Sequence, residues 1–518
     1  MTDQAHDHRQ SKSPASGKVY LVGAGPGAAE LITLRALHVL GRADVVLYDY
    51  LVNPRILRYA RSGAELISLG QHGATRIWSQ HEINEQMVAL AQAGKTVVRL
   101  KGGDPAVFGR LADELDYLCE HGVAFEVVPG VTAASAMSAY AGIVLTERDA
   151  ASAVALVTGQ LSDQAPHERL DYRALAAFPG TLVFYMGVTT AHRWVPALIA
   201  AGKDPKTPAA LVRRCSLPNQ LVIRCALKEI PDQIRSRRLR PPALVVIGSV
   251  VTASDRRSWF EHLPLAGRSV LVTRPEGQAE ELLWPLSELG ADVLVQPAIR
   301  IEPPESWEPV DQAIARIGDF AWIVFSSSNG VQFFLNRLRD LGRDWRALGP
   351  CRLAAVGPGT ARALAAYGLL CDLQPPRFTA DDLARALKHL AMGQRVLLVR
   401  ASRGRDVLRE ELAGVAAEVV QVVAYRSLDV ERPDAQIARR LAEGRVDWVT
   451  VTSSAIARSL ATLFGTDLAK AKLASISPIT SGVLRQLGFE PAVEATAATM
   501  PSLIDAIVRF ETTRSSDA

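Results

Sequence analysis

A chain of 518 residues is longer than one ordinary hydrophobic core supports, so two or more domains are expected. Its composition, 48% hydrophobic and 22% charged, is that of a globular protein and excludes a disordered or fibrous one. A net charge of only +4 excludes a generic nucleic-acid binder. The first seventeen residues are polar, with no apolar stretch behind them, and read as a disordered tail rather than a signal peptide. The five cysteines, Cys119, Cys215, Cys225, Cys351 and Cys371, are scattered, and none has the spacing of a zinc or redox pair. That fits a reduced, cytoplasmic compartment and predicts no metal site. No apolar run approaches the roughly 20 residues of a membrane span, so no membrane partner is expected.

From residue 18 onward, strand-like runs alternate with helical patterns to the end, the signature of α/β domains. KVYLVGAG (18–25) is an apolar run ending in glycines, ELITLRALHVLGRA (30–43) has helical spacing, and ADVVLYD (43–49) is again a buried strand. The glycine-rich VGAGPG (22–27) follows a strand and precedes a helix, so its backbone N–H groups can approach a ligand closely. A dinucleotide-binding loop is the competing reading. The spacing is not G-x-G-x-x-G, however, and Pro26 removes a donor that a pyrophosphate would use.

VVRLKGGDPAVFGR (97–110) runs a strand into the turn Gly102-Gly103-Asp104-Pro105, where glycines expose the backbone and a proline fixes the carboxylate. AFEVVPG (124–130) leads to a second Pro-Gly turn, with Thr132 and Ala133 opening a helix. Further strands follow at AVALVTG (153–159), TLVFYMG (181–187), which ends in Met186-Gly187, and ALVVIG (243–248). The arginines at 213–214 and 235–240 read as solvated faces. A boundary is expected at 263–267, before a fresh start at RSVLVTRPEG (268–277).

The second half carries a weak internal repeat. WIVFSSSNGVQFFL (322–335) reads like WVTVTSSAIARSLA (448–461), and CRLAAVGPGTARALAAYG (351–368) aligns without a gap on AKLASISPITSGVLRQLG (471–488). Each copy is a strand, a small-residue turn and a helix, which predicts two similar lobes with a ligand cleft between them.

The motifs GAGPG, ADVVLYD, QHEIN, VVRLKGGDPAVFGR, PGVTAASA and YMG stand in the order, and nearly the spacing, of the tetrapyrrole methylase family. Residues 18–262 resemble its uroporphyrinogen-III C-methyltransferases. The resemblance implies a homodimeric, two-subdomain α/β fold that holds S-adenosylmethionine between subdomains. It places cofactor contacts on Pro26, Gly102, Gly103, Asp104, Val107, Thr132, Ala133 and Met186, and a general base on Asp49. Methyl transfer from a sulfonium to a pyrrole carbon needs donor and nucleophile aligned and a route for proton loss. A strand-end aspartate capping the next turn is the other reading of Asp49. Three positions depart from the family pattern. Gln71 stands where a lysine follows glycine, with His72 beside it as a substitute. Ala28 replaces an aspartate, and Cys215 replaces a glycine where a side chain would crowd the cofactor cleft.

Residues 268–518 resemble uroporphyrinogen-III synthase through VLVTRPEGQ (270–278), FSSSNGV (325–331), AVGPGTA (355–361), VVAYRS (422–427) and VTSSA (451–455). The implied fold is two-lobed α/β, and the implied substrate is hydroxymethylbilane, a flexible octacarboxylate that is cyclised to uroporphyrinogen III. Hydroxyls and helix N-termini suit the holding of such an anion. Ser327, Ser328, Thr360, Ser453, Ser454 and Thr480 are expected to line the cleft, and Tyr425 to stand near the departing hydroxyl. For each hydroxyl a helix N-cap is the alternative. A methylase half acting on another corrin precursor, or a second half that only binds its ligand, are the rival readings.

Overall fold

The protein is described here by a computed structural model, which covers residues 17–70, 77–160, 170–252 and 254–516. The tail expected at the N-terminus lies outside the described residues up to position 16. Gly17 is buried and donates its N–H to the Ala91 carbonyl at 2.8 Å. The chain forms two compact units that divide at Arg268/Ser269, with the short segment Ser287–Asp292 counted with the first.

In the first unit, β1 (Lys18–Gly23), β2 (Val45–Tyr48), β3 (Glu65–Ser68), β4 (Thr96–Lys101) and β5 (Ala124–Val128) make a wholly parallel sheet ordered β3-β2-β4-β1-β5. Its inner strands are near-continuous apolar runs because helices cover both faces. Val19, Leu21, Val45, Leu47, Val97 and Leu100 are all buried. The QHEIN motif opens the helix Gln80–Gln92 through a capping box, in which Ser79 and Glu82 each bond the other's backbone N–H.

A second sheet follows, made of β6 (Val154–Thr158), β7 (Thr181–Tyr185), β8 (Pro208–Arg213), β9 (Leu221–Ala226) and β10 (Ala243–Ile247), ordered β6-β7-β10-β8-β9. Only β6 and β7 pair in parallel; the other pairs are antiparallel. Neighbouring residues of one strand serve two cores: Phe184 packs with Trp194 and Leu211, Val183 with Met137 and Val246. The helix Ala133–Ala141 starts just beyond the first sheet yet packs Ala134, Ala136 and Met137 against the second. It therefore sets the strand ends of the two sheets against each other.

The second unit is built in chain order from β11 (Ser269–Val272) and β12 (Asp292–Val295), then β13 (Ile299–Glu302), β14 (Trp322–Phe325), β15 (Arg352–Ala355), β16 (Arg395–Ala401) and β17 (Glu418–Asp429), then β18 (Trp448–Val451), β19 (Lys472–Ser475) and β20 (Val493–Glu494). These form two five-stranded sheets, β12-β11-β18-β19-β20 and β13-β17-β16-β14-β15. The chain thus leaves one lobe after β12 and returns to it after β17. The two crossings run side by side as an antiparallel pair, with Ile299 opposite Asp429.

The internal repeat falls on equivalent parts of the two lobes. In one, β14 leads to the helix Ser328–Asp340 and β15 to Pro358–Ala365. In the other, β18 leads to Ser454–Phe464 and β19 to Pro478–Gln486. The fold is α/β throughout: a two-subdomain unit followed by a two-lobed one.

Candidate active sites

In the first unit three glycine turns are hydrogen-bonded into one wall. Gly25 and Gly103 exchange backbone bonds, Gly25 N–H to Gly103 O at 3.1 Å and Gly103 N–H to Gly25 O at 2.7 Å. Gly103 has φ +72°, a backbone that disfavours a side chain. Asp104 locks the second turn to the third: its Oδ1 accepts from the Ala106 N–H at 2.8 Å and its Oδ2 from the Gly130 N–H at 2.9 Å. Gly23 and Gly130 touch so closely that a Cβ on either would lie within 3.0 Å of the other's backbone.

From Gly130 the wall continues to Thr132, whose hydroxyl lies 2.7 Å from the Tyr185 phenol oxygen. That oxygen also accepts the Ala134 N–H at 2.9 Å. Burial pushes the Tyr185 phenol above its ordinary range, so it stays a neutral hydrogen-bonding group. Met186, the next residue, is 45% exposed with φ +52°. The turns carrying Asp104, Thr132 and Met186 therefore converge. Val107 and Ala133 pack on the core beneath them, and Pro26 is half-buried at the rim.

Left-handed backbone concentrates here. Among the described residues, non-glycine positive φ occurs at Phe108, Arg110, Met186, Arg214, Ser216 and Arg238. All but Arg238 lie in or next to these turns. Such strain persists where the surroundings over-determine it, and it clusters at ligand sites. Phe108, packed on Tyr185 at 4.9 Å between ring centroids, and Ser216, whose Oγ accepts the buried Ala28 N–H at 3.0 Å, join the candidates. Tyr185 was legible as part of YMG. Ser216 left no signal, because its bond to Ala28 spans 188 positions of sequence.

Asp49 is not a turn cap by its side chain: its Oδ1 pairs with Arg99 at 2.7 Å, while its backbone carbonyl takes the Val52 N–H. Arg99 in turn meets the fully buried Glu114 at 3.2 Å, whose other oxygen binds Lys101 at 2.7 Å. Burial, with Arg99 beside it, holds the Lys101 ammonium below its ordinary range. The two cations alternate along one strand with the apolar residues expected of it, and nothing in the sequence announced their shared acid.

Cys215 does not project into open space. It is buried, with its Sγ 3.7 Å from the Ala133 carbonyl, and its thiol is pushed up to about 12 by burial. Gln71 and His72 lie outside the described residues. No group of three or more histidine, cysteine or acidic side chains could hold a metal among the described residues. None of the described helices is long and apolar enough to cross a membrane.

In the second unit Tyr425 sits within β17, beside the end of β16, with its hydroxyl 2.9 Å from Ser327 Oγ. Burial pushes its phenol up, against the opposing pull of Ser327, Asn329, Arg403 and Arg400. Phe333 stacks on its ring at 5.8 Å. Ser327 and Ser453 are both N-caps, bonding the Gly330 and Ile456 N–H groups at 3.1 and 3.2 Å. Ser328 and Ser454 begin the helices behind them and are partly exposed. Thr360 and Thr480 occupy equivalent places in the two lobes but are buried, and the Thr480 hydroxyl is turned to Ser477 at 3.2 Å. Each is the third residue of its helix, and the residues just before them, Gly359 and Ile479, are the exposed ones.

Residues 18–231 match the family model of tetrapyrrole (corrin/porphyrin) methylases, and residues 280–505 that of uroporphyrinogen-III synthase HemD. A porphyrin biosynthesis protein HemD of Ruminiclostridium josui is 34% identical over 439 residues, 85% of this chain and 87% of that protein. A uroporphyrinogen-III C-methyltransferase of Bacillus subtilis (strain 168) is 37% identical over 362 residues, 70% and 74% of the two chains. A siroheme synthase of Stutzerimonas stutzeri (strain A1501) is 47% identical over 254 residues, 49% of this chain. The chain spans about half the length of that last relative, 54%.

Proposed function

Because the chain belongs to the tetrapyrrole methylase family through its first half and to the uroporphyrinogen-III synthase family through its second, we propose that it performs two consecutive steps of tetrapyrrole biosynthesis. Residues 268–518 cyclise hydroxymethylbilane to uroporphyrinogen III. Residues 18–262 then methylate that product at C2 and C7 with S-adenosylmethionine, giving precorrin-2. On this reading 263–267 joins the halves; it is a packed turn in which Leu265 is fully buried. The enzyme acts in the cytoplasm, as a homodimer through its first half.

The observation that carries the methylase reading is the convergence of the Asp104, Thr132 and Met186 turns on one wall. When bound, S-adenosylmethionine supplies an electrophilic methyl group on a sulfonium. The turns around Pro26, Gly102, Gly103 and Ala133 offer backbone groups for its polar ends, and Val107 and Met186 offer apolar contact. Asp49, oriented by Arg99, takes the proton that the methylated carbon framework releases. In the second half Tyr425, hydrogen-bonded to Ser327, donates to the departing hydroxyl of the bilane, and the serine-capped helix starts hold its carboxylates.

A coupled assay tests both steps. Hydroxymethylbilane alone should yield uroporphyrinogen III; with labelled S-adenosylmethionine it should yield a doubly labelled product. Absence of label in the tetrapyrrole would reject the methylation step. Bilane bound without ring closure would leave the second half a binding module only.

A further inference from the structure

Two arginines of the second unit keep a buried N–H without an acceptor: Nε of Arg274 and Nη2 of Arg403. Unsatisfied buried donors are costly, and charged ones more so, which makes the pair a feature to be explained. Arg274 follows β11 in one lobe and is 14% exposed. Its Nη1 rests on the thioether sulfur of Met500 at 3.1 Å, and its Nη2 donates to the Gln278 amide oxygen at 3.2 Å. Its carboxylate neighbour, Glu281 at 3.3 Å, is 59% exposed. A thioether, an amide and a solvated acid are weak acceptors for a buried guanidinium. Arg403 follows β16 in the other lobe, where its Nε donates to Ser427 Oγ at 3.2 Å and its Nη1 to Asp429.

The two positions are joined through the site. Gln278, which receives Arg274, donates to Asn329, and Asn329 hydrogen-bonds the Tyr425 phenol, which also feels Arg403. The Gln278–Asn329 bond is a contact from one lobe to the other. By contrast Arg400, also near Tyr425, has acceptors for all three nitrogens: Ala401 O, Asp406 and Gly404 O.

We propose that Arg274 and Arg403 are carboxylate anchors of the synthase site, one on each lobe, which bind acidic side chains of the linear tetrapyrrole and hold it across Tyr425. The inference rests on the synthase reading and adds to its hydroxyl groups the charged contacts that an octacarboxylate requires. Guanidinium binds carboxylate through two parallel N–H bonds, a geometry that neither an amide nor a sulfur can match. A substrate carboxylate therefore displaces the Gln278 amide from Arg274 and occupies the idle Nε. Gln278 serves as the acceptor that keeps the guanidinium in place until then.

Steady-state ring closure of hydroxymethylbilane by the full chain, with type I and type III products resolved, tests this. Arg274→Gln and Arg403→Gln should each raise KM at least tenfold while kcat changes less than threefold. Arg274→Lys, which keeps the charge but loses the fork, should fall between wild type and Arg274→Gln. Gln278→Ala, which removes the acceptor that the substrate carboxylate must displace, should lower KM; a raised KM would overturn the displacement of this amide. Unaltered KM in folded Arg274→Gln and Arg403→Gln variants, judged by circular dichroism and melting, would overturn the proposal. If Arg274→Gln does not fold, an Arg274→Lys KM equal to wild type overturns its part. A wild-type chain that fails to close the bilane would instead count against the synthase reading itself.

Discussion

Single residues of the methylase wall act through what they hold, and two of them make opposite kinds of prediction. Asp104 gives both carboxylate oxygens to backbone N–H groups on separate turns. Asp104→Ala removes both acceptors; water can reach the exposed Ala106 N–H, and the part-buried Gly130 N–H left without a partner costs about 1–3 kcal/mol. Calorimetric titration with S-adenosylhomocysteine should show at least a tenfold loss of affinity, with uroporphyrinogen III formation unchanged. Gly130→Ala adds an atom where there is no room: its Cβ would press on the Gly103 carbonyl and lie 2.8 Å from Gly23 Cα. Overpacking of this kind costs about 1–3 kcal/mol and separates the turns, so methyl transfer should fall steeply even at saturating donor. Cys215 predicts an alkaline limit. Its thiol keeps its proton in the native state up to about 12, while an unfolded cysteine loses it near 9.0. Between those values the native state holds more protons than the unfolded one. Stability therefore falls as pH rises through that window, on the order of 4 kcal/mol at its upper end. Cys215→Ala should flatten this part of a pH–stability curve, and a thiol reagent at pH 8 should modify exposed Cys119 but not Cys215 until denaturant is added.

At the scale of the element, the legible strands were those buried on both faces. VVLY, LVFY and ALVVI are uninterrupted apolar runs, and each lies in a strand at the expected place. Less legible was LVIRCA, because Arg224 breaks the run; in the fold it turns to Ser254 and Glu261, 30 and 37 positions away. The site divided in the same way. Turns written by adjacent glycine and proline could be read locally, whereas the Arg99–Glu114–Lys101 cluster and the Gln278–Asn329 bridge are made only by topology. The loop Arg214–Ser216 was also beyond local reading, since left-handed backbone at Arg214 and Ser216 goes against the preference of both residues. It yields a paired prediction. Ser216→Ala keeps the strain and strands the Ala28 N–H, a loss of about 1–3 kcal/mol. Ser216→Gly loses the same bond but relieves the backbone, so it should be the less destabilised of the two. An equal loss in both variants, measured by thermal unfolding, would show that the φ of +64° carries no strain.

On the scale of the whole molecule, each half carries hydrophobic cores of its own. The clusters around Phe184, Trp194 and Val245, and around Val46, Val98 and Leu100, lie within the first unit. The clusters around Phe325 and Phe334, and around Val449 and Leu460, belong wholly to the second. The second unit is closed at its C-terminus by the helix Met500–Ser516, where Glu511 accepts from the Trp448 indole and pairs with Lys472, each at 3.0 Å. Two compact units can melt at different temperatures, so the chain is expected to show two calorimetric transitions rather than one. A ligand of one unit stabilises only the equilibrium it is linked to. S-adenosylhomocysteine at 100 times its Kd contributes about 2.7 kcal/mol, which raises the transition of a unit this size by roughly 5–10 °C. The other transition should not move. Asp104→Ala should cut the shift to about half or less at the same ligand concentration, and Glu511→Gln, which leaves Lys472 beside a neutral partner, should lower only the transition that ligand does not affect. One transition that shifts as a whole would mean that the halves unfold together, and the separation of their cores would then not extend to their stability.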